Sequence, residues 1–281
     1  VLSGGNRISQ FVQVIFAQSL KQSNSMKIAI AGKGGVGKTT ISGTLCRILG
    51  KRVGQVLAID GDPNPNLSVV LGIEKEAKLP PSLSTDIIER VEEPNGSWRF
   101  QVKMPFPEIL ETYGQQAPNN VTLLMVGKPE QAGTGCMCGA HTVVRELIHS
   151  ALVSGENQIM VLDTEASLEH MKRGTSRYVD KIYTVLEPYY RSLEAASRFA
   201  NMARQLGIQQ IEAIANKVRN QEEEQAIRAF CEKINLPIAL IVPFDEQVTN
   251  ADLKGLSIMD YDENAKVVKV MEAFVDGIEV N

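Results

Sequence analysis

Cysteine is scarce in this chain, with four residues among 281, and tryptophan occurs once. So few thiols in a chain of this length exclude a disulfide-stapled scaffold. Also missing is any apolar run near the ~18 residues that a membrane-spanning helix requires. Basic charge is not in excess either: 29 Lys and Arg face 33 Asp and Glu, for a formal net charge of −4. That balance provides no general attraction to phosphate backbones or anionic lipid, so neither nucleic acid nor membrane is an expected partner. The expected location is the cytoplasm.

Residues 1–25 hold one apolar burst, "FVQVIF", without the basic start or small-residue cleavage site of a signal peptide. They are read as a disordered extension, with an amphipathic docking helix as the alternative, ahead of a single domain over residues 26–281. From Met26 onward, strand-like and helix-like segments alternate: "KIAIAG", "QVLAID", "VTLLMVG", "QIMVLDTEA", "DKIYTVLEP", "QIEAIANKV" and "PIALIVPFD" are separated by amphipathic stretches. Continuous apolar strands between helices predict an α/β fold, a mostly parallel sheet with helices on both faces. Residues 73–120 are harder to read. Turn-rich "KLPPSL" and "EEPNGSW" punctuate a surface insertion over the top of the sheet, with helix expected around "LSTDIIERVEE" and "FPEILETYG".

The most informative stretch is "GKGGVGKTT", residues 32–40, between a strand and a helix. That context is what the G-x-x-x-x-G-K-[ST] phosphate loop requires. Gly34, Gly35 and Gly37 let the backbone N–H groups of the loop, with those of Val36, Thr39 and Thr40, curl around an anion at a helix start. Lys38 is placed to reach the β- and γ-phosphates of ATP, and Thr39 to put its hydroxyl on Mg²⁺. "MVLDTEA" ends an apolar strand on Asp163, which suits a carboxylate holding Mg²⁺ through water. "LAIDGDP" supplies Asp60, read as a support to the magnesium shell, and Asp62.

A second lysine narrows the motif. "KGGVGKT", with Lys33 ahead of the usual lysine, resembles the deviant phosphate loop of the MinD/ParA and nitrogenase iron protein class of ATPases. That resemblance implies a P-loop ATPase dimer sandwiching two ATP molecules, with Lys33 of each subunit crossing to the partner's nucleotide. It further implies that Asp62 orients the attacking water and that Asn216, with Lys217 in "AIANKV", reads the adenine edge. A buried or capping asparagine is the alternative at Asn216. One departure stands out: many relatives have glycine three residues after the aspartate in the position of Asp163, and this chain has Ala166.

"GTGCMCGAH" puts Cys136 and Cys138 one residue apart, ahead of an expected helix. Dithiol redox pairs are usually C-x-x-C, so this spacing favours a metal. One chain offers two thiolates and a tetrahedral ion wants four, which a symmetric dimer would supply. Cys46 and Cys231 fall within helical patterns as core thiols. Together, "AGKGGVGKTT", "IDGDP", "CMC", "SLEHMKRGTSRYVD", "EPYYRSLE" and "NKVRN" resemble the CooC family of nickel-insertion ATPases. That resemblance implies a homodimer holding Ni²⁺ or Zn²⁺ at its interface between two C-x-C motifs. It also implies apo carbon monoxide dehydrogenase, or the associated acetyl-CoA synthase, as client. Rival expectations are a positioning ATPase like MinD or ParA, and an iron–sulfur electron donor like the nitrogenase iron protein.

Overall fold

Every residue is buried in β1 (Met26–Gly32), β2 (Val56–Asp60), β7 (Ile159–Asp163) and β8 (Lys181–Leu186), as a sheet covered on two faces demands. The computed structural model describes residues 26–62, 65–74, 77, 81–126, 138–153, 159–164, 179–208 and 210–279. The expectation for residues 1–25 therefore lies outside the described residues. The other strands of the main sheet are β5 (Gln115–Ala117), β6 (Val121–Met125), β9 (Ile211–Val218) and β10 (Ile238–Pro243). Eight strands run in the order β10-β9-β8-β1-β7-β2-β6-β5. All neighbours are parallel except β5, which pairs antiparallel with β6 at one edge.

Alternation along the strands sends successive side chains to two separate cores. On one face, Ile28 and Ile30 join Ile41, Leu45 and Ile48 of α1 (Lys38–Val53) and Val267, Met271 and Val275 of α9 (Lys266–Glu279). Shorter helices α2 (Leu67–Val70), α7 (Glu246–Lys254) and α8 (Ile258–Tyr261) complete that side. On the other, Ala29 and Ala31 join a cluster with α3 (Phe106–Tyr113), α4 (Cys138–Val153), α5 (Tyr190–Gln205) and α6 (Gln221–Lys233). Cys46 and Cys231 are buried within these cores, and burial pushes the Cys231 thiol up to about 11, so neither is a reactive thiolate.

The insertion differs from expectation. "FPEILETYG" is helical as α3, but "LSTDIIERVEE" is not a helix. After one 3₁₀ turn (Thr85–Ile87) it becomes β3 (Ile88–Glu92), paired antiparallel with β4 (Trp98–Val102). The turn between them decides the outcome. Gly96 takes φ 79 and donates to the Glu93 carbonyl, while Asn95 Oδ1 accepts from the Ser97 N–H, so the "EPNGS" stretch closes a hairpin. The hairpin packs along α4, where Arg99, Gln101 and Lys103 face Glu146 and His149 across an open groove of about 530 Å³. Among the described residues no helix is long and apolar enough to cross a membrane.

Candidate active site

The carboxyl ends of β1, β2, β7, β8 and β9 converge on one edge of the sheet, where chain order reverses around β1 and ligands of open α/β sheets bind. Gly32 closes β1 with φ 143, and a Cβ there would sit 2.3 Å from the Val185 carbonyl oxygen, so only glycine fits. The loop then turns through Gly35 (φ 85) and Gly37 (φ 93), both in the left-handed region that glycine alone enters freely. Gly37 caps α1, and no side chain closes that helix start. By contrast, Asn220 caps α6 and Asp245 caps α7. The first-turn N–H groups of α1 thus stay open to an anion, favoured further by the helix dipole.

Lys38, the first residue of α1, is 8% exposed, and its Nζ lies 3.5 Å from the Lys33 carbonyl oxygen, curled over the loop. Lys33 itself is exposed, as are Gly34 and Gly35. Thr39 and Thr40 are half-buried in the first turn.

Asp60 and Asp163 are register partners on adjacent strands, so two carboxylates stand side by side under the loop. They are not equivalent. Asp60 Oδ1 accepts from the Asp62 N–H at 3.1 Å and Oδ2 from the Leu67 N–H at 3.0 Å, tying down the segment that carries Asp62. Asp163 is 1% exposed and neither of its carboxylate oxygens makes a hydrogen bond, although the Thr39 and Ser42 hydroxyls lie close enough to favour its charged form. Burial, reinforced by the Asp60 charge and opposed by Thr39 and Lys38, pushes Asp163 up to about 7.

A carboxylate buried without partners calls for an ionic one. The hard oxygen donors here, the Thr39 hydroxyl and Asp163, fit Mg²⁺, which would supply charge neutralisation for bound phosphates. Asp60, engaged by the Asp62 and Leu67 amides, stands beside Asp163.

Asn216 and Lys217, expected near the base, are brought to the phosphate loop. Asn216 Nδ2 donates to the Val36 carbonyl at 2.7 Å, and Lys217 Nζ donates to the Gly35 carbonyl at 2.7 Å. Lys217 also pairs with Glu187 Oε1 at 2.6 Å, just beyond β8. Glu187 was not foreseen; an acid directly after an apolar strand, in "TVLEP", was its signal. A further group collects at the same edge: the Arg219 guanidinium lies 4.5 Å from the Phe244 ring centroid and 3.3 Å from the Tyr189 hydroxyl. Phe244 directly follows β10.

Cys136 lies outside the described residues, as does Ala166. The backbone of Cys138 is the first residue of α4 rather than part of the preceding loop. Among the described residues, no group of three or more His, Cys, Asp or Glu is arranged to hold a metal ion.

Glycine-loop amides, a buried lysine and two strand-end carboxylates suit the transfer of a phosphoryl group to water. Known proteins agree. The chain is 38% identical over 236 residues to an uncharacterized ATP-binding protein of Methanocaldococcus jannaschii, covering 83% of this chain and 91% of that protein. It is 36% identical over 241 residues to the carbon monoxide dehydrogenase accessory protein CooC of Rhodospirillum rubrum, covering 84% and 90%. Among solved structures it resembles the septum site-determining protein MinD of Pyrococcus horikoshii, complexed with Mg-ADP, with a TM-score of 0.67 and 21% identity over 91% of this chain and 96% of that one. The model of the CobQ/CobB/MinD/ParA nucleotide binding domain matches residues 27–258, and the chain belongs to that family of ATPases.

Proposed function

We propose that the chain is an ATP-driven metallochaperone working as a homodimer. Two copies hold one Ni²⁺ or Zn²⁺ ion, as cargo, between their Cys136 and Cys138 thiolates. ATP hydrolysis then supports nickel insertion into carbon monoxide dehydrogenase or acetyl-CoA synthase. The observation that carries this reading lies in the residues flanking the cysteine segment: the Val126 N–H after β6 donates to the Asp60 carbonyl at 2.9 Å, and Val144 of α4 lies beside Gly61. Both flanks thereby adjoin the loop bearing Asp60 and Asp62. Similarity to a protein named as a carbon monoxide dehydrogenase accessory protein supports the client.

In this mechanism the open amides of α1 and Lys38 receive the triphosphate, and Asp62 orients the attacking water. The exposed Lys33 reaches the nucleotide held by the other copy, neutralising charge as it builds on the transferred phosphoryl, a class of contact worth about 10³–10⁵ in rate. Loss of the γ-phosphate relaxes the Asp60–Asp62 loop and, through Val126 and α4, changes the distance between the paired thiolates. Four thiolates suit a soft or borderline ion in a tetrahedral site. Structural zinc sites are worth about 10–16 kcal/mol in peptides, so opening alone does not expel the ion and the client supplies replacement ligands.

Metal titration with and without ATP, on wild-type and Cys136→Ser/Cys138→Ser protein, tests the proposal with dimer mass read in parallel. One metal per dimer, lost in the double variant, is expected. Two metals per dimer, or binding unchanged by the substitutions, refutes the bridging site. A brown chromophore after anaerobic purification favours an iron–sulfur electron donor instead.

A further inference from the structure

Two consecutive carbonyls of the phosphate loop, those of Gly35 and Val36, each receive one long-range side-chain donor at 2.7 Å. A peptide unit whose C=O is pinned outward has its N–H turned the other way, which is the orientation that phosphate binding needs. The donors come from adjacent residues, and their backbone is unusual. Lys217 has φ 59, a region that a non-glycine residue enters only where its surroundings over-determine it. Those surroundings are on hand. Asn216 Oδ1 accepts from the Lys217 N–H at 2.9 Å while its Nδ2 holds Val36, so one amide side chain sets both contacts. The lysine ammonium then lies between the Gly35 carbonyl and Glu187 Oε1. Glu187 is itself fixed, its N–H donating to the buried Ser192 hydroxyl at 3.0 Å in the first turn of α5.

From this chain of contacts we infer that Glu187 is a positioning residue of the ATPase site, acting through Lys217 to hold the Gly35 carbonyl outward. Glu187 neutralises the lysine, so the pair adds no net charge to the phosphate site. Its carboxylate, with side-chain exposure of 14% against 39% for Lys217, is the less mobile partner and sets the ammonium direction. The role is distinct from base recognition: it serves the triphosphate and is indifferent to the nucleobase.

The inference rests on the ATPase site and not on the metal reading. Its test is therefore run in both wild-type and Cys136→Ser/Cys138→Ser backgrounds, where the outcome is expected to be the same. Equilibrium binding of Mg²⁺ with ATP, GTP or inorganic tripolyphosphate is measured for Glu187→Gln, Lys217→Met and the pair combined, alongside steady-state hydrolysis and thermal melts. Glu187→Gln keeps the shape and removes the charge. It is expected to weaken all three ligands by a common factor, about tenfold for a charged hydrogen bond at a partly exposed site. The loss falls on KM more than on kcat, because the loop holds the triphosphate in ground and transition states alike. Glu187 acts only through Lys217, so the double variant is no weaker than Lys217→Met, and Lys217→Arg recovers part of the loss. Unchanged tripolyphosphate binding in Glu187→Gln overturns the inference. So does a loss confined to ATP and GTP with their discrimination altered, or a double variant as weak as the two single losses multiplied.

Discussion

Replacing Asp163 with asparagine is expected to stabilise the protein while abolishing its ATPase activity, and the size of the gain follows from burial. The carboxyl is 1% exposed, with no hydrogen bond to either oxygen, and it titrates near 7 in the folded chain. An unfolded aspartate titrates near 3.9, as in model peptides. Between those values the unfolded chain has released its proton while the folded chain still holds one. Stability therefore falls as pH rises from about 4 to about 7, and is level above that. Each unit of difference is worth about 1.36 kcal/mol, so a gap of about three units removes about 4 kcal/mol by pH 8. Asparagine has the same shape and no charge to desolvate. Urea unfolding of both proteins in chelator, near pH 4 and pH 8, isolates the effect, because titrations common to the two cancel. Near pH 4 the proteins should be of similar stability; near pH 8 the variant should lead by several kcal/mol. Added Mg·ADP should stabilise wild type more than the variant, since only wild type offers the ion a carboxylate. A stability difference independent of pH, or a variant weaker than wild type at pH 8, refutes the account of Asp163 as a carboxylate strained by its own burial.

Gly37→Ala should abolish ATP binding in an equilibrium assay, because its Cβ would lie 2.4 Å from Asn216 Nδ2 and φ 93 is strained for alanine. Adding Asn216→Ala should not restore binding, since the backbone strain remains. Lys181→Met breaks a buried ion pair with Glu212 (2.7 Å) and should cost about 3–5 kcal/mol in urea unfolding; Lys181→Met/Glu212→Leu should recover most of it. Lys38→Ala should abolish nucleotide binding or turnover, whereas Asp62→Ala should bind ATP and hydrolyse it slowly; unaltered turnover removes Asp62 from its assigned role.

Legibility varied with how local the determinants are. The parallel sheet was readable because β1, β2, β7 and β8 are mostly apolar runs without alternation, as burial on both faces requires. The phosphate loop was readable because its glycines answer a backbone demand within a few residues. The β3–β4 hairpin was missed because its strands are mostly exposed: Glu89, Arg90 and Glu92 break any apolar alternation, and the turn at Asn95 and Gly96 was seen only as punctuation. Asp60 and Asp163 were both visible as acids ending strands. Their difference was not, since it depends on which backbone amides fold back: those of Asp62 and Leu67 reach the Asp60 carboxylate, and none reaches that of Asp163.

Asn216 and Lys217 show the limit most sharply. From sequence, base recognition and a buried or capping role are both open for Asn216; the side chains of Asn216 and Lys217 grip carbonyls 180 and 182 residues away along the chain. No local pattern encodes such a contact; it exists because β9 lies two strands from β1 in the sheet. The phosphate loop is consequently supported from two sources of different range. Its glycines and the open start of α1 set which conformations are available, while β8 and β9, through Glu187, Asn216 and Lys217, select among them. Affinity for the triphosphate is then a property of the whole central sheet rather than of nine residues. A loosening of the β8–β9 edge would reach the nucleotide without touching it.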